Sequence, residues 1–88
     1  MAHAKKEDLQ YITLLLAELR TIEKLKEKSL GCFYFKGRGV LHFHTKGERR
    51  YAHAWTGRDW IEVDIEKKVS VKAQKILFAQ IQKLLLKF

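Results

Sequence analysis

Three of the four histidines in this 88-residue chain lie within one aromatic-rich stretch. His42 and His44 are two residues apart, so both imidazoles would project to the same side of a β-strand, and His53 lies further along the same stretch. A histidine pKa of about 6.5 lets both protonation states exist near neutral pH, as acid–base cleavage of RNA requires. If the protein is an enzyme, we expect His42, His44 and His53 to be its catalytic residues. Because an HxH pair is more often a surface or packing feature, the sequence leans against enzymatic activity.

The same stretch holds residue types that zinc accepts, namely Cys32 together with His42 and His44. The chain has a single cysteine and neither a CxxC nor an HExxH spacing, which are the specific zinc signatures. We therefore predict no metal and no small-molecule cofactor, and retain Cys32, His42 and His44 as the ligand set if a metal is bound. A lone cysteine forms no internal disulfide, which favours a reducing compartment and a cytoplasmic location.

Charge and aromatic content together favour nucleic acid as a partner. The chain has 18 Lys and Arg against 10 Asp and Glu, which gives a formal charge of +8, and 47% of its residues are apolar. Basic side chains attract phosphate, while exposed Tyr, Trp and His rings offer stacking surfaces for bases. RNA or single strands are favoured over B-form DNA, because no recognition helix is evident. The expected nucleic-acid-binding residues are Tyr34, Arg38, His42, His44, Arg49, Tyr51, His53, Trp55 and Arg58.

Hydrophobic periodicity divides the chain into a helix, a strand-rich centre and a second helix. Apolar residues at three- and four-residue steps predict a helix over residues 5–28, which Gly31 would end, and another over residues 69–88 with Ser70 as N-cap. Between them, glycine-containing turns separate four predicted strands, at residues 32–36, 40–45, 48–55 and 60–65. We therefore predict one compact α+β domain over residues 1–88, in which a four-stranded antiparallel meander carries the N-terminal and C-terminal helices on one face.

Hairpin loops of three, two and four residues would fix which side chains share a face of this sheet. The helix-covered face would then pair apolar residues, as Phe33–Phe43, Phe35–Leu41, Leu41–Ala52, Ala52–Val63 and Ala54–Ile61. The other face would hold the rings and Val40, with the neighbours Cys32–His44, Tyr34–His42, His42–Tyr51, His53–Glu62 and Trp55–Trp60. A second loop longer by one residue would instead bury Tyr51, His53 and Trp55. We favour the two-residue loop, and expect the ring-bearing face to be open to solvent.

An aromatic sheet face can also be an interface between proteins. A homodimer, or a module that binds a protein partner through this face, is therefore the alternative to nucleic-acid binding. No apolar run is long enough to span a bilayer, and no membrane partner is predicted.

The order helix, strands, helix is similar to that of double-stranded-RNA-binding domains and of small ribonuclease toxins from toxin–antitoxin pairs. The basic, alanine-rich opening of the second helix in the former is matched loosely by Lys67, Lys68, Lys72 and Ala73. The glycine-serine-histidine run of the latter is absent around His42. The similarity implies RNA as a ligand by analogy of topology, and it assigns the chain to no family.

Overall fold

The computed structural model describes residues 2–3, 9–66 and 69–85. Within them, a 3-10 helix at Gln10–Ile12 leads into helix α1, Thr13–Arg20, and helix α2 is Val71–Leu85. The strands are β1 (Ala2–His3), β2 (Lys26–Ser29), β3 (Cys32–Phe35), β4 (Arg38–Lys46), β5 (Arg49–Trp55) and β6 (Trp60–Ile65). The combination of two helices with an antiparallel sheet confirms the predicted α+β class.

Strands β2 to β6 form an antiparallel sheet in chain order, so each strand pairs with the next one. The two-residue strand β1 lies beside β4, where Ala2 pairs with Thr45 and His3 pairs with His44. It lies along the same side of β4 as β3, whose own pairing with β4 ends at Cys32 and His42. The predicted number of four strands is wrong, because the described residues form five consecutive strands together with this short one.

The fifth consecutive strand, β2, lies where the sequence predicts the end of the first helix. Helix α1 ends at Arg20, and the N–H and hydroxyl groups of Thr21 both donate to carbonyl groups of its last turn. The chain then turns, and β2 pairs with β3. Gly31 lies in the turn between these two strands with a φ of 72°, instead of ending a helix. The β2 side chains are Lys, Glu, Lys and Ser, which lack apolar alternation, so periodicity gives no strand signal.

Both helices carry the apolar stripes that the sequence predicts. In and just before α1 the buried residues are Leu9, Ile12, Leu15, Leu16 and Leu19. In α2, Leu77 and Ile81 are buried, and Ser70 caps the helix as predicted, since its hydroxyl accepts the N–H of Ala73 at 3.1 Å. The predicted helical residues 5–8 and 86–88 lie outside the described residues. No helix in the described ranges combines the length and the apolar character needed to cross a membrane.

Two of the three predicted hairpin loops differ in the structure, which also has a hairpin between β2 and β3. The turn between β3 and β4 consists of Lys36 and Gly37, with a bulge in the pairing beyond it, and the turn between β4 and β5 consists of Gly47 and Glu48. The changed pairs are Phe33 with Leu41, Phe35 with Arg38, and Leu41 with Ala54. The partners of Phe33 and Leu41 each lie two residues from the predicted partners, so both side chains stay on the predicted face. The third loop and its pairs, Ala52–Val63 and Ala54–Ile61, are as predicted.

A single hydrophobic core joins the two helices to one face of the sheet. Its strand residues include Phe33, Leu41, Phe43, Ala52 and Ala54, all from the face predicted to be apolar. Val40 also belongs to this core, although the sequence places it on the opposite face. The difference is due to a bulge in the pairing of β3 with β4, between the Phe33–Leu41 and Tyr34–Gly39 pairs. The extra residue in β4 interrupts the alternation of side chains.

A buried polar contact links the two helices within this core. The side-chain oxygen of Gln74 accepts the backbone N–H of Leu15 at 2.9 Å, and its nitrogen donates to the carbonyl of Val69. Leu15 lies in the first turn of α1, where backbone N–H groups have no partner within the helix. Gln74 thus satisfies a donor that the packing of α2 on α1 removes from water.

Candidate functional site

Seven aromatic and imidazole side chains form a connected set on the sheet face that points away from the helices. We call this set the ring face, and it consists of Tyr34, His42, His44, Tyr51, His53, Trp55 and Trp60. Ring centroids are 5.8 Å apart for His42 and His44, 5.9 Å for His44 and His53, and 4.9 Å for His53 and Trp60. These distances are typical of aromatic pairs in contact, so the rings form one continuous surface.

Pairing between β5 and β6 positions one end of the ring face as predicted. Trp55 pairs with Trp60, with ring centroids 5.4 Å apart, and His53 pairs with Glu62. Trp60 also contacts His42 across the face, at 5.5 Å between centroids. Both tryptophans therefore belong to the same end of the surface, where β5 ends and β6 begins.

Pairing around β4 differs from the prediction in detail. The Cys32–His44, Tyr34–His42 and His42–Tyr51 pairs are wrong. Tyr34 lies opposite Gly39, His42 lies opposite both Cys32 and His53, and His44 lies opposite Tyr51. For Cys32 and the two histidines, the cause is a shift of two residues in the pairing of the strands, which changes the partner of a side chain but not its face. The three imidazoles are consequently direct neighbours, closer together than the sequence suggested.

The ring face is not uniformly open, which corrects the expectation of a fully exposed surface. The Tyr51 side chain is only 1% exposed and that of His44 only 9%, while Cys32 is also buried. Trp60, in contrast, is 38% exposed, and Trp55 is partly buried beside it. Access to the rings is therefore concentrated at the tryptophan end, and the Tyr51 end is a packed part of the molecule.

Gly39 makes room for two members of the ring face. A Cβ atom at this position would lie 3.1 Å from Nε2 and 3.2 Å from Cε1 of His42, and 3.5 Å from Cε2 of Tyr34. The first two separations are shorter than ordinary van der Waals contact. The absence of a side chain at Gly39 thus lets the His42 ring lie close to the backbone of its own strand, next to the Tyr34 ring, with 6.5 Å between the ring centroids.

Basic side chains lie over two rings at the margin of the face. The guanidinium carbon of Arg38 is 4.4 Å from the centroid of the Trp55 ring, and Nζ of Lys28 is 4.9 Å from the centroid of Tyr34. Both distances are within the range of a cation–π interaction. The aromatic surface and the positive charge therefore occur at the same place, with Arg38 at the tryptophan end.

Arg49 is held differently, between an aromatic ring and two carboxylates. Its guanidinium lies 4.6 Å from the Tyr51 ring centroid and donates hydrogen bonds to Glu62 at 2.6 Å and to Asp64 at 2.8 and 3.0 Å. The bonds to Glu62, then those to Asp64, raise the pKa of the Arg49 guanidinium above its usual value. Because two carboxylates already engage it, Arg49 is less suited to a phosphate contact than the sequence suggested.

A short loop places Arg58 between the two tryptophan strands. The Thr56 hydroxyl accepts the backbone N–H of Asp59 at 3.1 Å and that of Arg58 at 3.3 Å, and the N–H of Thr56 donates to the carbonyl of Asp59 at 3.0 Å. Gly57 takes a φ of 94°, which suits glycine. The loop is thus fixed by its own hydrogen bonds, and it presents the exposed Arg58 at the tryptophan end.

The metal alternative gains no support from this arrangement. Among the residues that the structure describes, no group of three or more His, Cys, Asp or Glu side chains is placed to hold an ion. The suggested ligands Cys32, His42 and His44 lie on one face, and Cys32 pairs with His42. Cys32 is, however, buried.

Three contributors to the site escaped the sequence reasoning. The sequence pairs Trp60 with Trp55 on this face, which is a usable signal, although the expected binding set does not include Trp60. The sequence predicts a helix at Lys28 and therefore gives no signal for its contact with Tyr34. The close approach at Gly39 depends on the bulge, which the sequence does not reveal.

Comparison with known proteins finds no family model that matches this chain, and neither a curated protein nor a solved structure matches it significantly.

Proposed function

We propose that this protein binds single-stranded nucleic acid, with RNA favoured, at the tryptophan end of the ring face. The observation that carries the proposal is the Arg38 guanidinium lying over Trp55, directly beside the accessible ring of Trp60. This pairing combines a stacking surface for a base with a cation for the neighbouring phosphate. Arg58, in the loop between the two tryptophan strands, is the second proposed phosphate contact.

The chemistry of the surface favours unpaired bases. A base in a duplex is already stacked on its neighbours, whereas a base in a single strand can lie on an aromatic ring. Such stacking contributes about 1–3 kcal/mol per base and depends little on base identity. His53, in ring contact with Trp60, offers ring nitrogen atoms for contact with a ribose 2′-hydroxyl, and this favours RNA over DNA.

The distribution of charge favours one path for the strand. Glu62 and Asp64 lie beside the Tyr51 end of the ring face, where their carboxylates would repel phosphate. Arg38 and Arg58 lie at the opposite end, in and next to the first residues of β4 and β6. The proposed strand therefore crosses the tryptophan end, and the packed Tyr51 end serves as its support.

Fluorescence anisotropy with labelled oligonucleotides of about eight nucleotides tests the proposal. Oligo-U, oligo-dT and an RNA duplex would be titrated with the protein at salt concentrations between about 50 and 200 mM. We expect binding to oligo-U that weakens steeply with salt and exceeds binding to the duplex. If none of the three oligonucleotides binds in a salt-sensitive way, the proposal is contradicted.

A matched pair of variants locates the contact. Arg38→Gln with Arg58→Gln should lower the slope of log K against log salt by about 1.4, since each phosphate contact in a single strand contributes about 0.7. Lys75→Gln with Lys83→Gln removes the same charge from exposed positions on α2, which packs on the other face of the sheet. An equal change in both variants would show a response to net charge and would refute the proposed location.

Two further readings separate this proposal from its alternatives. Gel analysis of the RNA after incubation reports cleavage, which the histidine-based ribonuclease alternative requires and His42→Ala with His44→Ala would abolish. Light scattering without nucleic acid reports the mass of the particle. A stable dimer whose formation blocks oligo-U binding would favour the interface alternative.

A further inference from the structure

The outer strand β6 has features of a binding edge that the ring face does not explain. It is the last strand of the sheet, and no strand of the described residues pairs with its outer side. Its backbone N–H and C=O groups on that side are therefore available to an added strand, as at other sheet edges. Six residues, Trp60–Ile65, give such an edge a useful length.

A groove runs along this edge, between β6 and helix α2. One part has a volume of about 560 Å³ and the adjoining part about 200 Å³. The first part is lined by Val63 and Leu84 together with Glu62, Asp64, Gln80 and Lys83, and the second by Val69, Ala73, Ile76 and Leu77 together with Asp64 and Glu66. Val63, Val69 and Leu84 also pack against the core, so a strand added here would extend it.

Apolar groups at this edge remain accessible. Ile61, which points to the helix side of β6, is 39% exposed, and Ile76 on α2 is 52% exposed. Side chains of the same strand alternate, so Glu62 and Asp64 project to the opposite side. Both carboxylates nevertheless also border the groove, so a strand added to β6 would meet its apolar side chains and these carboxylates.

The charge of this edge is opposite to that of the protein. Residues 59–66 contain four of the ten acidic residues of the chain and none of its Lys or Arg, although the whole protein carries +8. The four are Asp59, Glu62, Asp64 and Glu66. Arg49 pairs with Glu62 and Asp64, and Lys83 of α2 lines the groove, so two positive charges offset part of the four negative ones and leave an excess of negative charge. A basic segment therefore suits this edge better than a neutral or acidic one.

We propose that the β6 edge binds an extended segment of a partner protein, in which basic residues alternate with apolar ones, as an additional antiparallel or parallel strand. The apolar side chains of the segment enter the groove beside Val63 and Leu84, and its basic side chains lie beside Glu62 and Asp64. Backbone hydrogen bonds provide affinity, and the alternation provides selectivity.

A second copy of this chain fits the same edge less well. Two β6 strands paired with each other would place Glu62 and Asp64 next to the identical carboxylates of the other copy, and like charges directly opposite are destabilising. The opposite edge, β2, has Lys26 and Lys28 on one side, but its other side holds Glu27, which is paired with Arg20. That ion pair would have to lose water and enter the groove beside Val63 and Leu84, which is unfavourable.

Peptide binding tests this proposal independently of nucleic acid. The probe is a capped peptide of alternating Lys and Val, about six residues long, which matches the length of β6. The comparison peptides are the alternating Glu–Val peptide and a peptide with the same Lys and Val residues in two separate blocks. We expect calorimetry to detect saturable binding of the alternating basic peptide alone, with hydrogen exchange slowed in residues 60–65.

Variants at the edge identify the contacts. Glu62→Gln with Asp64→Asn should weaken binding of the basic peptide about fivefold, as expected for the loss of two exposed ion pairs. Glu18→Gln with Glu23→Gln is the matched control, because it removes the same charge around α1, and it should leave the affinity unchanged. Circular dichroism verifies that both variants are folded.

Several outcomes would overturn the proposal. Equal binding of the block peptide would indicate charge attraction without strand addition. Binding without slower exchange in residues 60–65 would place the peptide elsewhere. A stable dimer in light scattering that dissociates in the Glu62→Gln, Asp64→Asn variant would show that a second copy occupies the edge.

Discussion

Replacing Glu27 by Gln removes the charge from the contact that anchors β2. The carboxylate of Glu27 accepts hydrogen bonds from Arg20 at 2.6 and 3.1 Å and from the backbone N–H of Gly31 at 3.0 Å. It therefore joins the end of α1, the strand β2 and the turn into β3. The substitution keeps the size of the side chain and its ability to accept a hydrogen bond, so it isolates the contribution of the charge.

The structure supports an effect of about 1.5 kcal/mol on the free energy of unfolding. The ion pair with Arg20 lies at the surface and contributes about 0.5–1 kcal/mol. A hydrogen bond from a backbone N–H to a charged group is worth about 1 kcal/mol more than one to a neutral group. For a chain of this size, the combined loss corresponds to a decrease in Tm of about 6–12 °C.

The effect should depend on pH in a defined direction. Burial tends to raise the pKa of Glu27, but the hydrogen bonds from Arg20 and Gly31 and the charge of Arg20 outweigh it, and the pKa is lowered below the usual 4.5. A carboxylate with a lowered folded-state pKa stabilises the protein above its unfolded pKa, and this contribution is lost as the pH falls below 4.5. The wild type and the variant should therefore differ most at neutral pH and converge in acid.

Urea denaturation followed by circular dichroism, at pH values from about 3 to 7, measures this difference. Glu23→Gln serves as the control, since Glu23 is exposed in the same connection between α1 and β2. If Glu27→Gln is as stable as the wild type at neutral pH, or if its deficit persists unchanged in acid, the anchoring role of the Glu27 charge is refuted.

Three further perturbations test the ring face. Trp60→Ala should weaken binding of oligo-U by about 5- to 150-fold, the equivalent of one lost stacking contact, and anisotropy with a variant shown to be folded would measure it; unchanged affinity would remove Trp60 from the site. Gly39→Ala should cost about 1 kcal/mol of stability, because its Cβ would displace the His42 ring, and an unaltered urea midpoint would contradict this close packing. Glu62→Gln with Asp64→Asn should strengthen oligo-U binding, since it removes repulsion of phosphate, and weaker binding would argue against the proposed path of the strand.

The sequence was most informative where a local pattern has one physical interpretation. Alternation of apolar and polar residues located β4, β5 and β6 and assigned Phe43, Ala52 and Ala54 to the core. That assignment is correct in spite of the errors in loop position, because a shift of two residues in strand pairing leaves every side chain on the same face. The predicted partners between β5 and β6 are correct, whereas those between β3 and β4 and between β4 and β5 are wrong, since the choice among turns of similar composition depends on packing of the whole sheet.

The sequence failed where local preference and tertiary pairing compete. The residues of β2 have good helix propensity and no alternation, and they become a strand only because β3 offers backbone partners and Glu27 binds Arg20 and Gly31. The burial of Tyr51, in spite of its position on the face without helices, likewise depends on long-range packing.

By itself, the sequence determined the α+β class, the apolar side of the sheet, the excess of positive charge and the set of rings on the other side. Only the tertiary structure decided that this charge is uneven, with Arg38 stacked on Trp55 at one end and Arg49 engaged by Glu62 and Asp64 at the other. The reason is that alternation is encoded within a strand, whereas contacts between strands depend on register, bulges and turns, which only the packed sheet fixes.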